Sequence, residues 1–307
     1  MGYESLRQRL DRGDIVLLDG GTGTELEQRG VAMDSEAWCG PATLHNADVL
    51  EGIHRDYILA GADIITANTY ASSRLMLEPA GHGERFEQIN RSAVETAHRA
   101  RDSCGRQDVL VAGSLSHMYP LTAASDQPDR AREPAPQTMR VAFQELALLL
   151  RDAGCDLILL EMLYDPHRVE LVLEAALATG LPVWAGFAVR RDERGEIVAY
   201  APDRSIALAE LIAPLRGSGV QAAGLMHSPA DIIHEGIVLF RERFDGPLLA
   251  YPDSGYFRMP HWHFENVIEP GALVDFAHRW VDADVQILGG CCGLSPRHIA
   301  ALREAFP

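Results

Sequence analysis

Eight short apolar runs, each followed by a stretch with helical spacing, recur along the chain and leave little choice of fold. The runs cover 15–18, 63–67, 109–112, 156–160, 182–187, 220–225, 247–250 and 285–288. The apolar spacing between and after them predicts helices over 46–60, 84–103, 138–153, 166–179, 205–215, 229–241, 272–280 and 296–306. Runs such as Leu157-Ile158-Leu159-Leu160 are apolar at every position rather than at alternate ones. That suits strands buried on both faces of an all-parallel sheet, with the helices as crossovers. Gly61, Gly154, Gly180 and Gly219 each fall between a helix and the next strand, where a left-handed C-cap belongs. Eight such units predict an α/β fold, an eight-stranded parallel β/α (TIM) barrel forming one domain over 1–307, with an open doubly wound sheet as the alternative. The Pro-, Ala- and Asp-rich segment 119–137 reads as a long loop over the barrel mouth.

Composition narrows the class of function. The chain has 307 residues, 47% of them apolar, enough for a large core, and no stretch is long and apolar enough to cross a bilayer. A net charge of -17 without a basic block argues against nucleic acid and anionic membranes as partners. Five cysteines, two of them adjacent, do not make a disulfide framework. The start of the chain lacks a basic and apolar leader, so the expected setting is cytoplasmic and reduced.

Barrel enzymes carry their chemistry at the C-terminal ends of the strands. Asp19 ends the first run, Asn68 and Tyr70 follow the second, and Ser114 follows the third. Glu161 ends the fourth, His227 follows the sixth, and Asp253 and Ser254 follow the seventh. Glu161 closes an otherwise apolar strand, so a bound ammonium group would offset the cost of burying it. Gly20, Gly21 and Thr22 begin a glycine-rich turn after Asp19, where a ligand could approach the backbone. That turn has neither GxGxxG spacing nor a phosphate-loop lysine.

The last run ends in Gly289-Gly290-Cys291-Cys292-Gly293. Adjacent cysteines rarely bond to each other, and glycines on both sides let the backbone turn so that two thiolates face one soft metal ion. Zn2+, which takes Cys and His ligands tetrahedrally, is the leading candidate. His227 is the natural third ligand, with His117, His261 and His263 as competitors on loops that could reach the mouth. Cys39, Cys104 and Cys155 read as structural.

Taken together these residues resemble the homocysteine S-methyltransferases, the zinc-dependent barrel family that includes betaine–homocysteine and S-methylmethionine–homocysteine methyltransferases. The resemblance runs nearly the whole length. It rests on residues 19–26, 60–63, 66–70 and 112–114, on Glu161, and on 251–255 and 289–293, the last followed by Ser295-Pro296-Arg297-His298-Ile299. It implies that Cys291 and Cys292 bind zinc, and that Glu161 and the first glycine-rich turn hold the amino acid part of homocysteine. The implied reaction moves a methyl group from an onium donor, S-methylmethionine or betaine in type, to the thiolate of homocysteine, giving methionine. The implied partners are thus a small-molecule thiol and a methyl donor, with Tyr70, Trp184, Tyr256 and Trp262 as candidate aromatic walls for the onium group. One position departs from the family. Where it has Gly-x-Asn-Cys after the sixth strand, this chain has Gly224-Leu225-Met226-His227. Two thiolates and an imidazole leave a zinc site neutral, where three thiolates leave it at minus one. That change opens two alternatives: the same fold and metal with another thiol acceptor or as a demethylase of one onium compound, and a metal-free barrel that binds an amino acid.

Overall fold

A computed structural model of the chain describes residues 2–201 and 203–307. Eight parallel strands pair in chain order: Val16–Leu17, Ile64–Ala67, Leu110–Ser116, Leu157–Leu163, Val183–Phe187, Ala222–Met226, Leu248–Tyr251 and Val285–Leu288. The last strand pairs with the first through Val16–Ile287 and Leu17–Leu288. The first meets the second through a single bridge, Leu18–Ile64. Beside that bridge the Asp63 N–H donates to the Leu17 carbonyl at 2.8 Å and the Asp19 N–H to the Ile64 carbonyl at 3.0 Å. The sheet therefore curls into a nearly closed barrel ringed by helices, and the open-sheet alternative falls.

Seven of the expected helices are present, as Thr43–Leu59, Phe86–Ser103, Pro136–Asp152, Pro166–Leu177, Ala230–Arg241, Pro270–Val281 and Pro296–Ala305. The four glycines expected at helix ends all have positive φ, from 74° at Gly180 to 103° at Gly61. The helix expected over 205–215 is only one turn, Leu208–Leu211, and then a 3-10 turn, Ala213–Leu215. Pro214 has no N–H to offer the preceding turn. Ahead of that turn, Ile206 accepts the Ala199 N–H at 2.8 Å instead of joining the helix. That bond ties the segment to the second strand of a hairpin, Val189–Arg191 with Ile197–Ala199, absent from the sequence reading. A second unexpected hairpin pairs Tyr256–Arg258 with His261–His263.

Side chains alternate between the barrel interior and the helices. Leu157 and Leu159 share the interior with Leu110, Leu249 and Ile287, whereas Ile158 and Leu160 pack outward against the helices. That register points Glu161 inward as well. An unexpected helix, Tyr3–Asp11, plugs the floor with Leu6 and Leu10. There the Trp184 Nε1–H donates to the Tyr3 hydroxyl at 2.9 Å. Trp184 is fully buried at the closed end, so it cannot wall a donor at the mouth and that expectation is corrected. Among the described residues no helix is long and apolar enough to cross a membrane.

Candidate active site

The loop after the eighth strand is fixed by backbone bonds from several directions. The Gly290 N–H donates to the Asp19 carbonyl at 3.0 Å, and the Cys291 N–H to the Pro252 carbonyl at 2.7 Å. The Ser254 N–H donates to the Cys292 carbonyl at 2.9 Å. The Gly293 N–H, at φ 81°, donates to Thr24 Oγ1 at 3.1 Å, and a Cβ there would run into the Ser254 carbonyl. The first glycine-rich turn packs tightly on this loop: the Gly21 N–H donates to Leu294, and a Cβ on Gly21 would crowd the Cys291 carbonyl. Close packing thus accounts for glycine at this position.

These constraints leave the two thiols side by side, Sγ to Sγ 4.0 Å, with His227 Nδ1 3.3 Å from the Cys291 sulfur. One ligand atom from each of His227, Cys291 and Cys292 lies within 4.8 Å of the others. A tetrahedral zinc with bonds of about 2.3 Å to sulfur sets its sulfurs about 3.8 Å apart, so the donor set and its spacing fit that ion. His227 takes φ 43°, unusual for a residue with a Cβ, and its N–H donates to the Tyr251 carbonyl at 3.1 Å. Its Nε2 faces Asp253 Oδ2 at 3.7 Å, placing a carboxylate behind the candidate ligand. Burial lowers the His227 pKa, but Asp253 and Cys291 outweigh it and raise the value to about 9. The hydrogen bond with Cys292, then burial, pushes the Cys291 thiol well above its ordinary value. The hydrogen bond with Cys291 lowers the Cys292 thiol, yet burial and nearby carboxylates leave it raised.

Across an open cavity of about 1180 Å³, solvent in its opening included, two carboxylates face this cluster. Asp19 is buried and accepts from the Thr66 N–H at 2.6 Å and the Thr66 hydroxyl at 2.8 Å. Burial raises it to about 7 against those bonds, and Glu161 raises it further. Glu161 accepts from the Ser114 hydroxyl. Burial also raises Glu161 to about 7, while Ser114, Tyr251 and His227 pull it back. Two carboxyls pushed up in this way favour a cation between them.

The other residues singled out in the sequence divide. Gly20, Gly21, Thr22, Asn68 and Tyr70 line the cavity with Asp19, Ser114 and Glu161. Asn68 is tied to the Cys39 carbonyl at 2.8 Å, whereas the Thr22 hydroxyl is buried without a partner. Asp253 stands behind His227, and the Ser254 hydroxyl turns away to accept the Ile268 N–H at 2.8 Å. His117 Nε2 is occupied by the Tyr164 N–H at 3.0 Å. His261 pairs with Glu27 at 2.7 Å, and His263 stacks on Tyr256. None of these three histidines joins the cysteines. Trp262 reaches the cavity, but Tyr256 is more than a third exposed outside it. Cys39, read as structural, sits on the cavity wall with a thiol raised to about 12 by burial. Tyr164, Tyr200, Trp38, Phe257 and Asp126 also line the cavity and were missed, since no local pattern marks them.

The family model described as homocysteine S-methyltransferase matches residues 16–306. The Escherichia coli (strain K12) homocysteine S-methyltransferase is 28% identical over 97% of this chain and 97% of its own length. The Brassica oleracea var. italica selenocysteine Se-methyltransferase is 27% identical over 98% of this chain and 92% of its own. The metallated form of the homocysteine methyltransferase MmuM from Escherichia coli superposes with a TM-score of 0.77 at 25% identity, covering 97% of this chain and 99% of that one.

Proposed function

The chain belongs to the homocysteine S-methyltransferase family, and from that premise we propose that it moves a methyl group from a sulfonium or quaternary ammonium donor to homocysteine, giving methionine. The observation that carries this reading is the convergence of His227, Cys291 and Cys292 on one point of a cavity that also holds Asp19 and Glu161. His227, Cys291 and Cys292 would hold Zn2+, which when bound lowers the pKa of a thiol and so supplies the acceptor as thiolate near neutral pH.

The chain's own residues do the rest. Glu161, braced by Ser114, and Asp19, braced by Thr66, bind the acceptor's ammonium group, and its charge returns both carboxyls to the ionised form. The unpartnered Thr22 hydroxyl offers a bond to the acceptor's carboxylate. Tyr70, Tyr164, Tyr200 and Trp262 wall the cavity with rings whose faces attract an onium cation and keep water from the methyl carbon. The acceptor sulfur forms a bond to that carbon on the side opposite the leaving group. The donor's C–S or C–N bond breaks, and its electron pair leaves with a neutral sulfide or amine.

The test combines metal content with product. Protein purified without chelator should carry about one zinc per chain and form methionine from homocysteine and at least one onium donor; His227→Ala should lose the metal. Zinc retained in His227→Ala moves the third ligand elsewhere, and no zinc in the native protein refutes the reading. A second reading, a different thiol or a selenol as acceptor, is favoured by the imidazole at position 227, since a neutral site withdraws more charge from the nucleophile. Competition between homocysteine and other thiols or selenols for turnover separates the two.

A further inference from the structure

Part of the cavity wall comes from two segments outside the barrel, the loop over 117–135 and the segment of the hairpin after the fifth strand. Tyr200 directly follows that hairpin's second strand, Ile197–Ala199. Its ring stands edge-on to His227 at a centroid distance of 5.8 Å and to Tyr164 at 6.1 Å. Its hydroxyl donates to Asp126 Oδ2 at 2.9 Å. Asp126 sits at the tip of the loop, where the Thr122 N–H closes on the Gln127 carbonyl at 2.8 Å and the Met259 N–H ties down the Ser125 carbonyl at 3.1 Å. Arg130 then fastens the loop to the hairpin segment with a two-pronged pair on Asp203, at 3.0 and 2.9 Å. The Asp126 carboxylate is thus held in place at the rim of the reaction cavity.

Its charge is not balanced there. Among the described residues Asp126 makes no ion pair, and its side-chain partner is the neutral Tyr200 hydroxyl. No arginine lines the cavity, and the chain contains no lysine. Asp19 and Glu161 are accounted for by the acceptor's ammonium; Asp126, held by Tyr200, is not. A fixed carboxylate in a cavity lined by neither arginine nor lysine attracts a net cation and is indifferent or repulsive to a zwitterion. We infer that Asp126, oriented by Tyr200, selects the methyl donor by net charge, admitting cationic onium compounds and discriminating against zwitterions of the betaine type. This deepens the methyl-transfer reading and rests on it for the identity of the ligand as a donor.

Choline and betaine make the test, because they share a trimethylammonium head and differ in a hydroxymethyl group against a carboxylate. Calorimetry on the protein as purified should show choline binding at least about tenfold tighter than betaine. Asp126→Asn should reduce that ratio to near one, Asp126→Glu should keep most of it, and Tyr200→Phe, which leaves the charge but frees its orientation, should lie between. Thermal unfolding of each variant separates loss of selectivity from loss of fold. Betaine binding as tightly as choline, a ratio unchanged in Asp126→Asn, or no binding of either compound overturns the inference. Turnover keeps the two ideas apart. A preference for choline that vanishes in Asp126→Asn, with no methionine formed from any donor, supports the charge selector and removes the reaction. Methionine formed as readily from betaine as from a sulfonium cation does the reverse.

Discussion

Replacing Glu161 by glutamine separates what this carboxylate does to the fold from what it does for a ligand. Its pKa is raised from 4.5 to about 7, chiefly by burial. A carboxyl whose folded value lies above its unfolded one binds its proton more tightly in the native state. Its favourable contribution is therefore complete below about pH 4.5 and is lost as pH rises through about 7. The difference of roughly 2.5 units corresponds to about 3 kcal/mol at full ionisation, an upper bound because the side chain keeps some contact with solvent. Glutamine has the same shape, keeps a carbonyl oxygen for the Ser114 hydroxyl and carries no charge. With equal metal loading and no substrate, Glu161→Gln should match the native protein near pH 4.5 and exceed it by about 1–3 kcal/mol near pH 8. Binding should move the other way. The acceptor's ammonium loses a charged partner worth about 1.5–3 kcal/mol, so homocysteine should bind roughly 10–150 times more weakly. Urea unfolding across that pH range and calorimetry with homocysteine read both effects. A variant less stable than the native protein near pH 8, or one with undiminished affinity for homocysteine, refutes the reasoning.

Two further outcomes follow from the frame around the site. Trp184→Phe removes the bond to Tyr3 at the floor and should lower stability by about 1–2 kcal/mol in urea unfolding while leaving metal content and turnover unchanged; a fall in turnover at equal folding would place Trp184 in the mechanism. Gly293→Ala forces a Cβ onto a residue at φ 81° and against the Ser254 carbonyl, so zinc affinity measured by chelator competition should fall at least about tenfold. Unchanged affinity would mean that the cysteine loop tolerates the shift.

The barrel was legible because the strands are short, mostly apolar runs, broken here and there by a residue such as Thr66 or Gln286, and four glycines mark the helix ends. The convergence of His227 with the cysteines was legible for the same reason, since strand ends meet at one mouth once the strands are counted in order. What failed was orientation and distance. In Val183-Trp184-Ala185 every residue is apolar, so nothing local tells which one points down the axis, and Trp184 turned out to face the Tyr3 floor. The hairpins escaped because strands of three residues carry too little pattern to separate from a loop. Tyr200 and Asp126 lie 74 residues apart and meet only through tertiary structure. Cys39 was judged by its neighbours in sequence, whereas its wall position comes from the loop between the first strand and its distant helix.

The way the ring closes also sets the timing of its assembly. The first strand's ladder partner is the last strand, and the bond from Gly293 to Thr24 spans 269 residues. On a ribosome adding about 5–20 residues each second, such a gap lasts on the order of fifteen seconds to a minute. Throughout it, the first strand has only its single bridge to the second, and Asp19 has neither Cys291 nor Cys292 opposite it. The two walls of the acceptor pocket therefore meet in the last act of folding. A chain cut short before the eighth strand would present an unpaired sheet edge, open to association with other chains, together with half a site.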